Sequence, residues 1–218
     1  MRFLVTLIGA GVLASAAAAA GPTFDRTASG DAAAIASLLT PADLSKADGW
    51  TLLAAGTNSG FTFSCPGWSP SARGIVEIGA ATSPDFYSGG TQPVGVLQMT
   101  DVYDTAAQAA TMWQRAVKPG LTRCMAETLD EVTQKGLDVR LISEQALTVE
   151  KVGPMTAGYR VIAELYNPST KTQRKTYFDL IVLGRGRTLS EIALTSIGAT
   201  TPAKVEYALA LIVYHRIS

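Results

Sequence analysis

The sequence predicts an α+β fold, a mainly antiparallel sheet of about six to seven strands covered by helices on both faces. Three observations carry this expectation. Residues 158–196 read as three consecutive antiparallel strands, because Asn167-Pro168-Ser169 and Gly184-Arg185-Gly186 cut one long apolar stretch at two turn signals. The run VGVLQMTDVY ahead of AAQAATMWQRAV changes abruptly from strand-like to helical periodicity. Runs of strands are separated by single helices or a helix pair, with no internal repeat, which is the order of an α+β domain and not of a parallel α/β one.

In chain order, MRFLVTLIGAGVLASAAAAA has one positive charge at Arg2, an apolar run from Phe3 to Ala14 and a small-residue end with the A-x-A pattern. Residues 1–20 are therefore expected to be a cleaved secretory signal peptide, cut after Ala19 or Ala20. The apolar run is shorter than the roughly 20 residues that cross a bilayer, and no later segment is long and apolar enough to do so. No cysteine precedes Cys65, so no lipid anchor is expected at the cut, and the mature protein is expected to be soluble and extracytoplasmic. Residues 21–30 lack periodicity and read as a flexible N-terminal arm, which leaves 31–218 as a single domain.

Asp31 can cap a first helix, with Ile35, Leu38 and Leu39 on one face, and Thr40-Pro41 ends it and opens a short turn. Trp50 follows, and Leu52 and Leu53 lead toward the sheet. Phe61, Phe63 and Cys65 alternate with Thr62 and Ser64 as in a half-buried strand, and the segment from Gly74 resumes that alternation through Val76, Ile78 and Ala80. Residues 82–93, with Pro84, Gly89, Gly90 and Pro93, read as a long loop that exposes Phe86 and Tyr87. Val94 to Tyr103 is a strand. Asp104 or Thr105 then caps a helix with Ala109, Met112, Trp113, Ala116 and Val117 at i, i+3, i+4, i+7 and i+8. After Pro119-Gly120, Thr122 can cap a second helix that carries Cys124 and ends at Gly136. A strand is expected within DVRLISEQALTVEKV, then the three-strand meander, and the start signal Thr200-Thr201-Pro202 opens a final helix with an apolar stripe at Val205, Ala208, Leu209, Ile212 and Val213.

The formal net charge is zero, with 18 basic and 18 acidic residues, and the only basic cluster, Lys171 to Lys175, sits beside a turn. Nucleic acid is therefore not an expected partner. The two cysteines, Cys65 and Cys124, are sent to an oxidising compartment by the signal and are expected to form a disulfide.

The search for chemistry returns no catalytic constellation. The single histidine, His215, falls on the last turn of the final helix, where the dipole and free carbonyls favour it. One histidine and a disulfide do not make a zinc site, no G-x-S-x-G or EF-hand loop occurs, and no cofactor is implied. Asp101 with Asp104 and Asp130 with Glu131 are the nearest carboxylate pairs, but each fits a cap or a solvated helix face. Gly184-Arg185-Gly186-Arg187 joins two strands and so reads as a hairpin, not a phosphate loop. What remains is a set of aromatics at loop positions, Trp50, Trp68, Phe86 and Tyr87, which are the candidate ligand-binding residues; their alternative role is to plug the ends of the sandwich.

The LLTPADL opening with a following Trp, the step VLQMTDVYDTAAQAATMW leading to Cys124, the Tyr159 strand and DLIVLGRGRTLSEIALT before a closing helix resemble secreted actinobacterial sensor-type domains, such as the extracellular domain of the PknH receptor kinase and the LpqN-type lipoproteins. The resemblance implies a Mog1p/PsbP-like sandwich and a non-catalytic ligand-binding or sensing role in the cell envelope. Its partner would be a small molecule, a peptide or an envelope protein. An alternative role is a protein-interaction or envelope-assembly factor, and an unrecognised hydrolase is a third.

Overall fold

The computed structural model describes residues 23–44, 50–54, 70–89, 92–118, 120–132 and 138–218. Within them the chain forms β1 (Thr23–Phe24), α1 (Ala28–Ala36), a 3-10 turn (Pro41–Asp43), β2 (Trp50–Ala54), β3 (Val76–Thr82), β4 (Asp85–Ser88), β5 (Val94–Tyr103), α2 (Ala106–Ala116), α3 (Gly120–Val132), β6 (Asp138–Ala146), β7 (Met155–Asn167), β8 (Thr172–Arg185), β9 (Thr188–Ile197) and α4 (Ala203–Arg216). The α+β class is as expected. The sheet is not: among the described residues it has nine strands and is mixed, in the order β1-β3-β5-β9-β8-β7-β6 with β4 on β5 and β2 on β4. The parallel pairing is Thr23–Phe24 on β3, where the chain enters along the sheet edge in the same direction as Val76–Glu77.

Residues 23–30, expected as a flexible arm, form β1 and the first turn of α1. The helix starts earlier than Asp31 because Thr27 is its cap, its hydroxyl accepting from the Gly30 amide at 2.9 Å. Asp31 instead accepts from the Ala80 amide on β3 at 3.3 Å. Gly30 lets this happen: a Cβ there would lie 2.1 Å from the Ile78 carbonyl oxygen, so α1 and β3 touch backbone to backbone. Residues 82–93, expected as a loop, contain the short strand β4, which pairs with both β2 and β5. The signal-peptide residues 1–20 and the expected strand Phe61 to Cys65 lie outside the described residues.

The two faces of the sheet carry different helices. On one, Phe86, Val94, Val96, Ile181, Leu183, Ile192 and Leu194 pack against Leu39, Leu44 and the α4 residues Leu209, Ala210 and Val213. On the other, Tyr159, Val161, Leu180 and Val182 pack against Leu121, Met125 and Ala126 of α3, with Trp113 of α2 beside them. The alternation of Leu180/Val182 with Ile181/Leu183 explains why β8 reads as continuously apolar: both of its faces are covered.

A buried amide fastens the first face together. Gln98, with no exposed surface, accepts from the Leu39 amide at 2.6 Å and donates to the Ser37 carbonyl at 3.1 Å and the Ser190 hydroxyl at 2.9 Å. It ties the end of α1 to β5 and β9. Arg216, in the last turn of α4, adds a second tie by pairing with Asp43 and donating to the Leu38 carbonyl at 2.6 Å. The meander turns follow the sequence signals. Asn167 accepts from the Ser169 and Thr170 amides, and Gly186 takes a positive φ of 56° in the β8–β9 turn, where the Arg187 amide donates to the Ser218 carbonyl. At the far edge, β6 carries a register shift between Leu141 and Ser143, the kind of bulge that keeps an exposed edge from pairing with another chain.

Candidate functional site

A pocket of about 330 Å³ opens where the start of α4 meets the ends of β6 and β7. Arg160, Glu206, Gln145, Thr148, Thr200 and Thr201 supply its polar wall. Arg160 is held by the β7–β8 register, which places it opposite Asp179, and Gln145 of β6 lies opposite Arg160 on its other side. All three side chains therefore share the α4 face. The guanidinium donates from Nε to Asp179 Oδ1 at 2.5 Å, from Nη2 to Asp179 Oδ2 at 2.7 Å and from Nη2 to Glu206 Oε1 at 2.9 Å. Tyr177, two residues from Asp179, presents its ring 5.9 Å from the same guanidinium.

The electrostatics follow from two carboxylates sharing one arginine. The hydrogen bond to Asp179 holds Arg160 more firmly in its charged form. Burial pushes Glu206 up to about 7, helped by the Asp179 charge and opposed by Arg160. The group is a compensated ion cluster with one carboxyl poised to take a proton near neutrality.

A second unusual group lies on the opposite face. Glu77, Asp101 and Glu191 run diagonally across β3, β5 and β9, since Glu77 is opposite Tyr103 and Glu191 is opposite Met99, each two residues from Asp101. Among the described residues, no hydrogen bond or ion pair holds the side chain of any of the three. Burial raises Glu77 to about 7, Asp101 to about 6 and Glu191 to about 7, the charge of Asp101 adding to both glutamates while Arg26 opposes at Asp101 and Glu77. Tyr103, which is 4 % exposed, is raised as well by burial and by all three carboxylates. Among the described residues, no three His, Cys, Asp or Glu side chains are grouped so as to hold a metal ion.

The loop aromatics do not assemble into this pocket. Phe86 is 2 % exposed in β4 and belongs to the hydrophobic core under α4, because the alternation of β4 turns it inward. Trp50 is half-buried at the start of β2, packed against the same core, and Tyr87 is half-buried on the other side of β4. Trp68 lies outside the described residues. Cys124 is 1 % exposed on α3 and is not a free thiol, and Cys65 lies outside the described residues. His215 is exposed in the last turn of α4 beside Tyr214, a position that fits a helix end. Asp101 belongs to the carboxylate row and not to a pair with Asp104, which is exposed ahead of the Thr105 cap of α2. The Gly184 to Arg187 segment is a hairpin turn, with Arg185 over the Tyr214 ring at 5.3 Å.

Sequence reasoning missed the Arg160 cluster, though a signal was present. Asp179 is the lone charge between Thr176 and Gly184, Arg160 shares its strand with one other charge, Glu164, and Arg160 and Asp179 lie about equally far from the Asn167–Lys171 turn. A hairpin closed there brings them face to face. Glu206 had no such local marker.

No family model matches the chain, and no curated protein matches it. Among solved structures, the extracellular domain of PknH from Mycobacterium tuberculosis is similar over 64% of this chain and 64% of that domain, at 11% identity and a TM-score of 0.34. The chain thus spans just under two thirds of the domain it matches, and the roles of its residues rest on its own geometry.

Proposed function

We propose that this chain is a secreted, non-catalytic module of the cell envelope that binds a small polar molecule at the α4 pocket. The observation that carries the reading is the pocket itself: a space of about 330 Å³, built on strands and a helix start, into which the ion cluster of Arg160, Asp179 and Glu206 is set. Its size falls at the low end of the roughly 300–1,000 Å³ typical of small-molecule sites. The strands fix the polar groups, so a ligand would meet a preformed surface.

A thermal-shift screen of small polar metabolites and cell-wall fragments tests this, with Gln145→Trp as the blocked control. Gln145 is exposed beside Arg160, so the indole fills the mouth without touching the core. A ligand that raises the melting temperature of the native protein and not of the variant supports the reading. Equal shifts in both, or none in either, remove it.

The row Glu77, Asp101 and Glu191 favours a second reading, an acid-assisted hydrolase, because an unpaired carboxyl raised toward neutrality is what general acid catalysis needs. Hydrolysis of a glycoside or ester panel that is lost in Glu191→Gln supports it, and an inactive native protein excludes those substrates.

A further inference from the structure

The carboxylate row on the α2 face has no cation or donor of its own. Glu77 is 9% exposed and Asp101 and Glu191 are half-buried, yet among the described residues no side chain of the three accepts a hydrogen bond or joins an ion pair. Buried carboxylates are normally paired or hydrogen-bonded, because the charged form loses its water on burial. Arg26 acts on Glu77 and Asp101 from a distance, but it is committed elsewhere. It donates to the Ala80 carbonyl at 3.2 Å and pairs with Asp31 at 3.7 Å, with half of its side chain in solvent.

A fourth group converges on the row without being acidic. Tyr103 stands opposite Glu77 and two residues from Asp101, it is 4% exposed, and its hydroxyl has no hydrogen-bond partner among the described residues. The charges of all three carboxylates act on that hydroxyl, so it points toward the row. It donates to none of them, so the gaps between are wider than a hydrogen bond. Diagonal neighbours on one sheet face stand about 7–8 Å apart, and carboxylates so spaced do not close on a metal ion. Trp113 of α2 packs with the cluster of Tyr103 and Leu189 and also with the one that Ala193 joins. Leu189 and Ala193 flank Glu191 on the same face of β9, which brings the indole to that end of the row.

Acceptors in a line with this spacing are matched by donors that are charged and strung out. An anion is repelled by all three carboxylates. A neutral polyol gives hydrogen bonds but leaves the mutual repulsion of the row in place. An ammonium group gives several hydrogen bonds and also cancels charge, and an aromatic ring beside it adds attraction. We infer that the row binds a linear polyamine, whose ammonium groups pair in turn with Glu77, Asp101 and Glu191 while the Tyr103 hydroxyl accepts from the same chain. The site is separate from the α4 pocket and no bond is broken at it, so the inference goes beyond both readings above and rests on neither.

The test is an amide-resolved NMR titration of the full chain with spermidine, with butylamine and magnesium chloride as comparison probes. Spermidine should give saturable shifts at Asp101, Tyr103 and Glu191 and bind about ten-fold or more tightly than butylamine, since its ammonium groups act together. Asp101→Asn and Glu191→Gln should each weaken spermidine about ten-fold. Both variants should melt at pH 8 no lower than the native protein, because each removes a buried charge that has no partner. Lost binding is thereby separated from lost folding. The inference is overturned if spermidine gives no saturable shift, if it moves Gln145 and Thr200 in place of the row, or if magnesium binds the row more tightly. Equal affinity for spermidine and butylamine, or native affinity in either variant, overturns it as well.

Discussion

Arg160 on β7 and Asp179 on β8 face each other across the sheet in a two-pronged contact, Nε to Oδ1 at 2.5 Å and Nη2 to Oδ2 at 2.7 Å, with the Asp179 side chain fully buried. Two parallel bonds fix the plane of the guanidinium, and that plane directs the remaining Nη2 proton to Glu206 on α4. The pair thus orients the pocket wall and also pins α4 to the sheet.

Breaking one member of this cluster should be far worse than removing all three. Asp179→Ala leaves a buried arginine with only Glu206 and should cost about 3–5 kcal/mol. The triple change Arg160→Met, Asp179→Leu and Glu206→Leu removes all three charges of the cluster in favour of apolar groups and should cost much less. Urea denaturation of the single and the triple variant checks this, and equal losses would show that packing, not charge, dominates there.

Stability should rise as the solution is made mildly acidic. Burial raises Glu77, Glu191 and Glu206 from 4.5 to about 7 and Asp101 from 3.8 to about 6. The folded state therefore binds these protons more tightly than the unfolded chain. The stabilisation is complete below about pH 4 and is lost as pH climbs through 6 to 7. Asp43 works in the opposite sense: burial acts to raise it, but the hydrogen bonds from Arg216 and Thr40 hold it below 3.8, so its contribution is lost in stronger acid. The melting temperature should accordingly be higher near pH 5 than at pH 8. Glu77→Gln should flatten that profile by raising the alkaline value and leaving the acidic one, and a profile that rises with pH instead would contradict the burial of these groups.

The amide of Gln98 should be irreplaceable by an apolar side chain of similar size. Gln98→Leu leaves the Leu39 amide and the Ser37 carbonyl without their partner in a buried seam, and each orphaned group costs about 1–3 kcal/mol. A loss of a few kcal/mol in chemical denaturation is expected, together with faster hydrogen exchange at the end of α1.

The bridge between Cys65 and Cys124 remains a proposal with a direct test. Reduction and alkylation of the protein should label both cysteines, and alkylation without reduction should label neither. Closing a loop of about 60 residues contributes roughly 4 kcal/mol in the chain-entropy account, so Cys124→Ser should lower the melting temperature markedly.

Much of the fold is legible locally. The meander β7–β9 follows from turn residues whose backbone geometry is set within a few positions, as Asn167 and Gly186 show. The helix α2 follows from its own periodicity and the Thr105 cap, whose hydroxyl accepts from the Gln108 amide. β1 and β4 were not legible, because strands of two and four residues carry too little pattern to stand out and exist only through the partner that pairs with them. Phe86 was misplaced for that reason: with β4 unseen, an inward-facing core side chain looked like an exposed one.

The sequence by itself determined the α+β class, the meander, the helix pair and the near neutrality that argues against a nucleic-acid partner. These depend on short-range periodicity, turn chemistry and composition, which no distant residue can change. Tertiary structure alone decided the site. Glu206 meets Arg160 across 46 positions and Gln98 meets Ser190 across 92, and contacts over such distances depend on how whole elements pack. A carboxylate on a helix carries no mark of the arginine it will neutralise until the sheet and the helix have closed on each other.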